Sequence, residues 1–251
     1  MYHMKGVLIF LFSCLLMFHT KAQNTFIYSG KVYFEKRVNQ YQLLDMDNDD
    51  NWSELMKKTM SKITVDEFIL SFNKGVSLYE MENEKENENN KYIFGMKPSS
   101  QNIIWKNLEQ NKIEEQKEVF EQQYLLKDSL RKLEWRITGE TREIAGFDCK
   151  KAVTKICDSV YVVAFYTDQI PVSSGPESFS GLPGLILGLA VPRLYTTWFA
   201  TKLELLPPNT NISMPKLKGK ATNWDGLQKD LLNGMKDWGK SGPKYVWNAL
   251  L

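Results

Sequence analysis

The chain has 251 residues, of which 32 are lysine or arginine and 30 are aspartate or glutamate, so its formal charge is close to neutral. A balanced charge argues against nucleic acid or an anionic membrane surface as an electrostatic partner. Both histidines, His3 and His19, lie within the first 22 residues. The rest of the chain therefore has no Ser-His-Asp or Cys-His arrangement and none of the common histidine-containing zinc sites.

Residues 1–22 have the pattern of a secretory signal peptide. Lys5 supplies the positive charge, and Val7 to Phe18 form the apolar stretch. Thr20-Lys21-Ala22 then places small residues at the two recognition positions before Gln23. We therefore expect export of the chain and cleavage in front of Gln23.

A second way to process this leader begins at Cys14, as in a lipoprotein. Phe12 is large for that cleavage signal, so lipidation at Cys14 is the less favoured alternative. Residues 23–251 are predicted to form a single β-rich domain. No later apolar run is long enough to cross a bilayer, so the sequence predicts no transmembrane segment after signal removal.

Patterns typical of β-strands recur from end to end of the domain. Val32, Phe34 and Val38 alternate with charged residues, and Tyr195 to Leu205 keeps a strict period of two. The segment Val160 to Tyr166 is apolar on both faces, which predicts a central strand. The other predicted strands are Phe68–Phe72, Val76–Met81, Tyr92–Met96, Ile103–Lys106, Lys112–Val119, Gln123–Lys127, the stretch with Leu133, Trp135 and Ile137, Phe147–Ile156 and Leu185–Leu189.

Two segments have helical spacing instead. The first has Trp52, Leu55, Met56, Met60 and Ile63 on one face, behind the capping sequence Asp49-Asp50-Asn51. The second has Trp224, Leu227, Leu231, Met235 and Trp238 on one face, with Thr222 and Asp225 as a capping box and Gly239 as a stop. The predicted fold is mainly β (α+β), a single antiparallel sheet of about ten strands with two to three helices.

Two cysteines, Cys149 and Cys157, remain after the leader. Both ends of one predicted strand, Phe147–Ile156, would separate them by roughly 26 Å, whereas bridged α-carbons lie about 6 Å apart. We therefore expect two unpaired thiols and a buried Cys149. Two sulfurs without histidine make a poor metal site, so neither a metal nor a cofactor is expected.

The segment Ser180-Gly-Leu-Pro-Gly-Leu-Ile-Leu-Gly-Leu189 combines a proline and three glycines with an apolar strand pattern. Alternation puts Gly184, Ile186 and Gly188 on one face, where a backbone, a ring or a ligand can approach closely. The alternative is that a neighbouring Trp or Phe fills this slot. The candidate binding residues are Phe179, Gly181, Leu182, Pro183, Gly184, Ile186 and Gly188.

Three ordered motifs carry a family resemblance. They are Ile144 to Ala152 with its cysteine, Phe165 to Pro171 with its aromatic pair and Ile-Pro, and Gly175-Pro176 leading into the Ser180–Leu189 segment. Over Trp135 to Leu206 the chain resembles the GLPGLI family of Bacteroidetes envelope proteins. The resemblance implies an exported protein of the periplasm or cell envelope and supplies no catalytic residue. By fold analogy it also implies a curved sheet or open half-barrel like that of periplasmic lipoprotein carriers.

These observations predict a binding or accessory protein of the envelope that holds an apolar ligand or a protein partner, without catalysis. A carboxylate-dependent hydrolase with Asp168 and Glu177 as an acid/base pair is one alternative. Asp168 before Ile-Pro is also typical of a residue that caps a turn. A structural subunit of an outer-membrane assembly and a thiol or metal role for the cysteines are the others.

Overall fold

The computed structural model describes residues 26–45, 50–82, 102–119, 122–156, 160–237 and 242–251, without the side chains of Asp45, Asp50, Trp52 and Lys244. The predicted signal peptide, Cys14, Cys157, the predicted strand Tyr92–Met96 and the predicted stop Gly239 lie outside the described residues.

The described strands form one open sheet of twelve in the order β12-β6-β5-β4-β3-β2-β1-β11-β10-β9-β8-β7. The mainly β class is confirmed, and the sheet has more strands than predicted. All pairings are antiparallel except that β12 runs parallel to β6, which makes the sheet mixed. The strands are β1 Gly30–Asn39, β2 Ile63–Phe72, β3 Val76–Met81, β4 Ile103–Asn107, β5 Lys112–Val119, β6 Gln122–Ser129, β7 Arg136–Ile144, β8 Phe147–Ile156, β9 Val160–Thr167, β10 Leu185–Val191, β11 Thr196–Leu205 and β12 Lys220–Thr222.

Four α-helices are described: α1 Gln40–Asp45, α2 Asp50–Lys57, α3 Trp224–Gly234 and α4 Gly242–Ala249. The predicted helix through Ile63 is too long, because Ile63 opens β2 and pairs with Asn39 of β1. The predicted capping box is also wrong. Thr222 ends β12, and the cap of α3 is Asn223, whose side-chain oxygen accepts a hydrogen bond from the amide of Gly226 at 2.8 Å.

Two strand predictions are corrected by tertiary contacts. Leu133 and Trp135 precede β7, and the indole N–H of Trp135 donates to the carbonyl of Ser180 at 2.9 Å. In β9 burial alternates, and the side chain of Tyr161 is 60% exposed. That strand is therefore buried mainly on one face, and it lies third from the β7 edge rather than at the centre of the sheet.

The hydrophobic core lies on one face of the sheet. Val32 and Phe34 of β1, Phe68 and Leu70 of β2 and Tyr79 of β3 are all fully or almost fully buried there. Leu227 and Leu231 of α3 and Val246 of α4 pack into the same cluster. This is called the core face below, and the other side of the sheet is called the open face.

The end of the sheet that contains β7 is strongly curved. The guanidinium of Arg142 on β7 lies 4.7 Å from the ring centre of Phe199 on β11, although three strands separate β7 from β11 in the sheet order. In a flat sheet with a strand spacing of about 4.8 Å, these strands would be roughly 19 Å apart. The curvature brings the open face of β7 toward the open face of β11.

Candidate functional site

The chain between β9 and β10 folds over the core face of the sheet. Its central part, Ser174–Ser180, is called the plug loop here. Ser174 and Ser180 form an isolated antiparallel bridge, so the two ends of the plug loop lie side by side. The segment with the Gly-Leu-Pro-Gly motif leaves the plug loop at Gly181 and enters β10 at Leu185.

The structure buries most of the predicted binding residues. Phe179, Leu182 and Ile186 are at most 2% exposed, and Gly184 and Gly188 are buried as well. Gly181 and Pro183 are exposed. In this conformation only those two of the seven predicted residues present themselves to a solute.

The two glycines of the predicted shared face point to opposite sides. The register of β10 against β9 shifts between Ile186 and Gly188, so Ile186 lies opposite Tyr166 and Gly188 lies opposite Phe165. Leu187 is the extra residue of this β-bulge, and a bulge reverses the alternation that the sequence predicts. The prediction of one common glycine face is therefore wrong.

Each glycine has its own close neighbour. A Cβ on Gly184 would lie 2.0 Å from the backbone carbonyl oxygen of Thr167, and a Cβ on Gly188 would lie 2.8 Å from both the Phe199 ring and the Ile144 side chain. Backbone fills the space at Gly184 and an aromatic ring fills it at Gly188. Among the described residues, these two close approaches account for the glycines by packing.

The plug loop meets the sheet through buried polar side chains. Glu177 forms an ion pair with Lys36 of β1 at 3.1 Å, and both side chains are at most 2% exposed. Lys106 of β4 donates to the carbonyl of Gly175 at 2.8 Å and to the carbonyl of Phe179 at 3.0 Å. The hydroxyls of Ser77 and Ser174 lie 2.7 Å apart. The loop is therefore held by three strands of the core face.

A second buried ion pair lies next to this contact. The ammonium of Lys117 is 2.6 Å from the carboxylate of Glu115 and donates to the carbonyl of Ala249 at 2.9 Å. The hydroxyl of Ser178 in the plug loop donates to the carbonyl of Leu251. The residues after α4 are thus connected both to β5 and to the plug loop.

Burial changes the acid–base properties of this cluster. Desolvation lowers the pKa of Lys106 to about 7, although the charges of Glu115 and Glu177 act in the opposite direction. Desolvation also raises the pKa of Tyr79 well above its usual value, and the charge of Glu177 adds to that increase. Both groups therefore favour their uncharged forms in the folded protein.

The backbone of Glu177 is strained. Its φ of +50° lies in the left-handed region, which a residue with a β-carbon adopts at a cost of about 1–2 kcal/mol. Its second carboxylate oxygen is buried and has no hydrogen-bond partner among the described residues. The ion pair with Lys36 thus holds this residue in an otherwise unfavourable state.

The two carboxylates of the hydrolase alternative have different environments. Asp168 has a side chain that is 54% exposed and pairs with Lys150 at 2.6 Å. The hydrogen bond from Lys150 is the main cause that lowers the pKa of Asp168. Glu177 is 1% exposed and faces the protein interior. The structure therefore does not bring Asp168 and Glu177 together in one cleft.

Cys149 lies in β8, whose bounds agree with the predicted strand. Its thiol is free and fully buried. Burial, with a smaller contribution from the charge of Asp148, raises the pKa of Cys149 to about 12. The described residues contain no group of three or more His, Cys, Asp or Glu side chains that could hold a metal ion.

The open face carries a cleft of about 190 Å³ between β1, β2 and β11. It is lined by Tyr33, Phe34, Glu35, Glu67, Glu82, Thr201 and Lys202. Glu35 and Glu67 lie directly opposite each other in the β1–β2 ladder, an arrangement of like charges that destabilises a sheet.

Only part of the charge in this cleft is paired. Arg37 donates to Glu35 at 2.6 and 3.0 Å, and Tyr33 donates to Glu204 at 2.9 Å. Lys202 also pairs with Glu204, and these two contacts lower the pKa of the Glu204 carboxyl. The carboxylates of Glu67 and Glu82 have no hydrogen bond or ion pair with any described side chain.

Sequence reasoning missed the buried cations. Lys36 has the same phase as Val32, Phe34 and Val38 in β1, and this is a signal that the sequence contains. A lysine in the apolar phase of a strand indicates a buried amino group with a dedicated partner. The identity of that partner, 141 residues away, is visible only in the fold.

A family model described as "Protein of unknown function (Porph_ging)" matches residues 154–188, a stretch that includes most of β9, the plug loop and the start of β10. The family is associated with Bacteroidetes. No curated protein matches the sequence. No helix among the described residues is both long enough and apolar enough to cross a membrane.

Two solved structures described as PNGF-II, in the P21 and C2 space groups, resemble the chain in fold. Their TM-scores are 0.51 and 0.50, with 16% and 15% sequence identity over 85% and 88% of this chain. The match covers 34% and 33% of the PNGF-II chains, so this chain spans about a third of their length. At this identity the similarity concerns the fold alone.

An uncharacterized conserved protein from Thermus thermophilus has a TM-score of 0.36 and 6% identity, over 84% of this chain and 99% of the other.

Proposed function

We propose that the chain is an exported, GLPGLI-type accessory protein of the cell envelope that binds a protein partner and is not a catalyst. The observation that carries the proposal is the contrast between a core face filled by the plug loop and an open face with a cleft whose acidic groups are only partly paired. The resemblance over Trp135 to Leu206 and the leader pattern of residues 1–22 support the location in the envelope.

A partner fits the structure better than an apolar ligand does. A half-barrel carrier holds its ligand between the sheet and the elements that cover it, and the curvature near β7 is in keeping with that architecture. Here Ile170, Val172, Phe179 and Leu182 occupy this position and are at most 2% exposed. These side chains are the chain's own apolar filling, so the interior is closed to a second apolar molecule in this conformation.

The open-face cleft suits a positively charged segment of the partner. Glu67 and Glu82 supply two carboxylates without ion-pair partners among the described side chains, and Glu35 faces Glu67 across the strand pair. A lysine or arginine side chain entering the cleft would relieve this like-charge repulsion. The ring of Tyr33 provides an apolar wall for the aliphatic part of such a side chain.

The test uses short extended peptides of matched length that carry lysine, neutral or glutamate side chains. Their binding to the full chain is measured by fluorescence anisotropy at low and at physiological salt. We expect the lysine peptides to bind most tightly and to weaken as salt increases. Glu67→Gln with Glu82→Gln should reduce their affinity at least tenfold.

Glu118→Gln with Glu143→Gln is the matched control, since both residues are exposed and lie outside the cleft. This variant has the same change in net charge and should retain the affinity. Equal binding of lysine and neutral peptides, or equal loss of affinity in the two double variants, would contradict a cationic partner segment.

A further inference from the structure

The plug loop has the construction of a unit that can move as one piece. Its two ends pair with each other through Ser174 and Ser180, so the loop closes on itself without help from the sheet. Its attachment to β1, β3 and β4 consists of the polar contacts made by Lys36, Ser77 and Lys106. The strain at Glu177 lies within the same contact, and backbone strain of this kind clusters at elements that switch.

The bonding of Lys106 indicates which protonation form the closed loop accepts. A neutral amine has two N–H groups, and Lys106 has two carbonyl acceptors, those of Gly175 and Phe179. An ammonium would add a third N–H, for which the described residues provide no acceptor. The side chain is 0% exposed, so water does not supply one at the protein surface.

The charges around Lys106 lead to the same conclusion. Lys36 of β1 is balanced by Glu177 of the plug loop, and Lys117 is balanced by Glu115, both on β5. A charged Lys106 would be the uncompensated cation of this buried group. The remaining titratable neighbours are Tyr79 of β3, which burial keeps protonated and neutral, and the half-buried Asp66 of β2, whose charge acts on Tyr79.

We propose that the plug loop opens from the core face as a unit, and that each closure of the loop releases one proton from Lys106 to solvent. Opening hydrates the Lys106 amino group, which then takes up a proton as an ordinary lysine does. The proposal concerns the core face and is independent of the cleft and of the peptides it binds.

The sign of the linkage follows from the two states. The pKa of Lys106 is about 7 in the closed state and returns toward 10.5 when the loop opens. Between these values the open state holds one more proton, so closure becomes more favourable as the pH rises, by tenfold per pH unit. Below about pH 7 the amino group is protonated in both states, and the dependence ends.

Hydrogen exchange on the full chain tests the proposal between pH 7 and 9.5. The reporters are the amides of Ser178 and Ile186, whose hydrogen bonds to Leu251 and Ser174 break when the loop opens. After correction for intrinsic exchange, we expect them to be at least tenfold less protected than amides of the β8–β9 ladder. Their protection should rise about tenfold per pH unit.

Lys106→Met retains the length of the side chain and removes its proton, so this variant should lose the pH dependence of the two reporters. Lys112→Met, at an exposed lysine of β5, should keep it. Protection equal to that of the β8–β9 ladder, or an unchanged pH dependence in Lys106→Met, would overturn the proposal. Should that variant not fold, the nitrogen resonance of the Lys106 amino group in the natural chain decides: a side chain still charged at pH 9 would also overturn it.

Discussion

The core face and the open face of this sheet both carry charged residues but treat them in opposite ways. On the core face Lys36, Lys106 and Glu177 are removed from water and bound by specific partners. On the open face Glu67 and Glu82 remain at the edge of a cleft without a described ion-pair partner. Buried charges specify one arrangement of the chain, whereas unpaired exposed charges remain available to another molecule.

The comparison predicts that the largest effect comes from breaking the buried ion pair. Glu177→Ala leaves the ammonium of Lys36 buried without its carboxylate, and we expect a loss of about 3–5 kcal/mol in the free energy of unfolding. Urea denaturation followed by tryptophan fluorescence measures this loss. The double variant Lys36→Met with Glu177→Leu should recover most of it, because no charge then stays unpaired. A double variant as unstable as Glu177→Ala would show that the pair is not what stabilises the plug loop.

The second prediction concerns the glycine whose Cβ position is occupied by backbone. Gly184→Val would place its β-carbon 2.0 Å from the carbonyl oxygen of Thr167, so β9 or the segment before β10 must shift. We expect a loss of about 3 kcal/mol, seen as a lower midpoint in thermal unfolding. Gly139→Val is the control, since a Cβ there meets nothing within 4 Å. Equal melting temperatures for the two variants would contradict the close approach.

The third prediction separates the faces by pH. Because the pKa of Lys106 is lowered to about 7 in the folded state, the unfolded chain holds one more proton between pH 7 and 10. The free energy of unfolding should therefore gain up to about 1.4 kcal/mol per pH unit in this range from Lys106. Above pH 10 the gain should decline, because Tyr79 ionises in the unfolded chain more easily than in the folded one. The pH series of Lys106→Met, measured by urea denaturation, should lack the gain, and a persistent gain would assign it to another group.

The smallest effect is expected from an exposed ion pair. Lys150 and Asp168 lie 2.6 Å apart, with side chains about half exposed. Water and salt screen this contact, so Lys150→Met should change the free energy of unfolding by less than about 1 kcal/mol. A loss as large as that of Glu177→Ala would remove the distinction between buried and exposed pairs. Denaturation at low and high salt gives the comparison.

Much of the fold could be predicted because β-strands leave a local pattern. The alternation in Val32 to Val38 and in Phe147 to Ile156 identified β1 and β8, and short turns between strands indicated an antiparallel sheet. The corrections arise where a distant contact overrides the pattern. The bulge at Leu187 and the bond from Trp135 to Ser180 are two such contacts, and neither leaves a periodic signal.

The candidate site was harder to predict than the fold. The sequence drew attention to Gly184 and Gly188 as a shared surface, whereas the fold uses them separately to admit the Thr167 backbone and the Phe199 ring. It did not draw attention to Lys36 or Lys106, although both have the apolar phase of their strands. A lysine in that phase signals burial, but its consequence depends on what covers it.

By itself, the sequence determined that this chain is mainly β, that its strands follow one another in an antiparallel order, and that no histidine is available beyond residue 22. These properties depend on local periodicity and on composition. The tertiary structure alone decided that the plug loop covers the core face, that Lys36 meets Glu177, and that the cleft lies on the other side. Such pairings join residues more than 100 positions apart, and they depend on sheet order and curvature, which local periodicity does not encode.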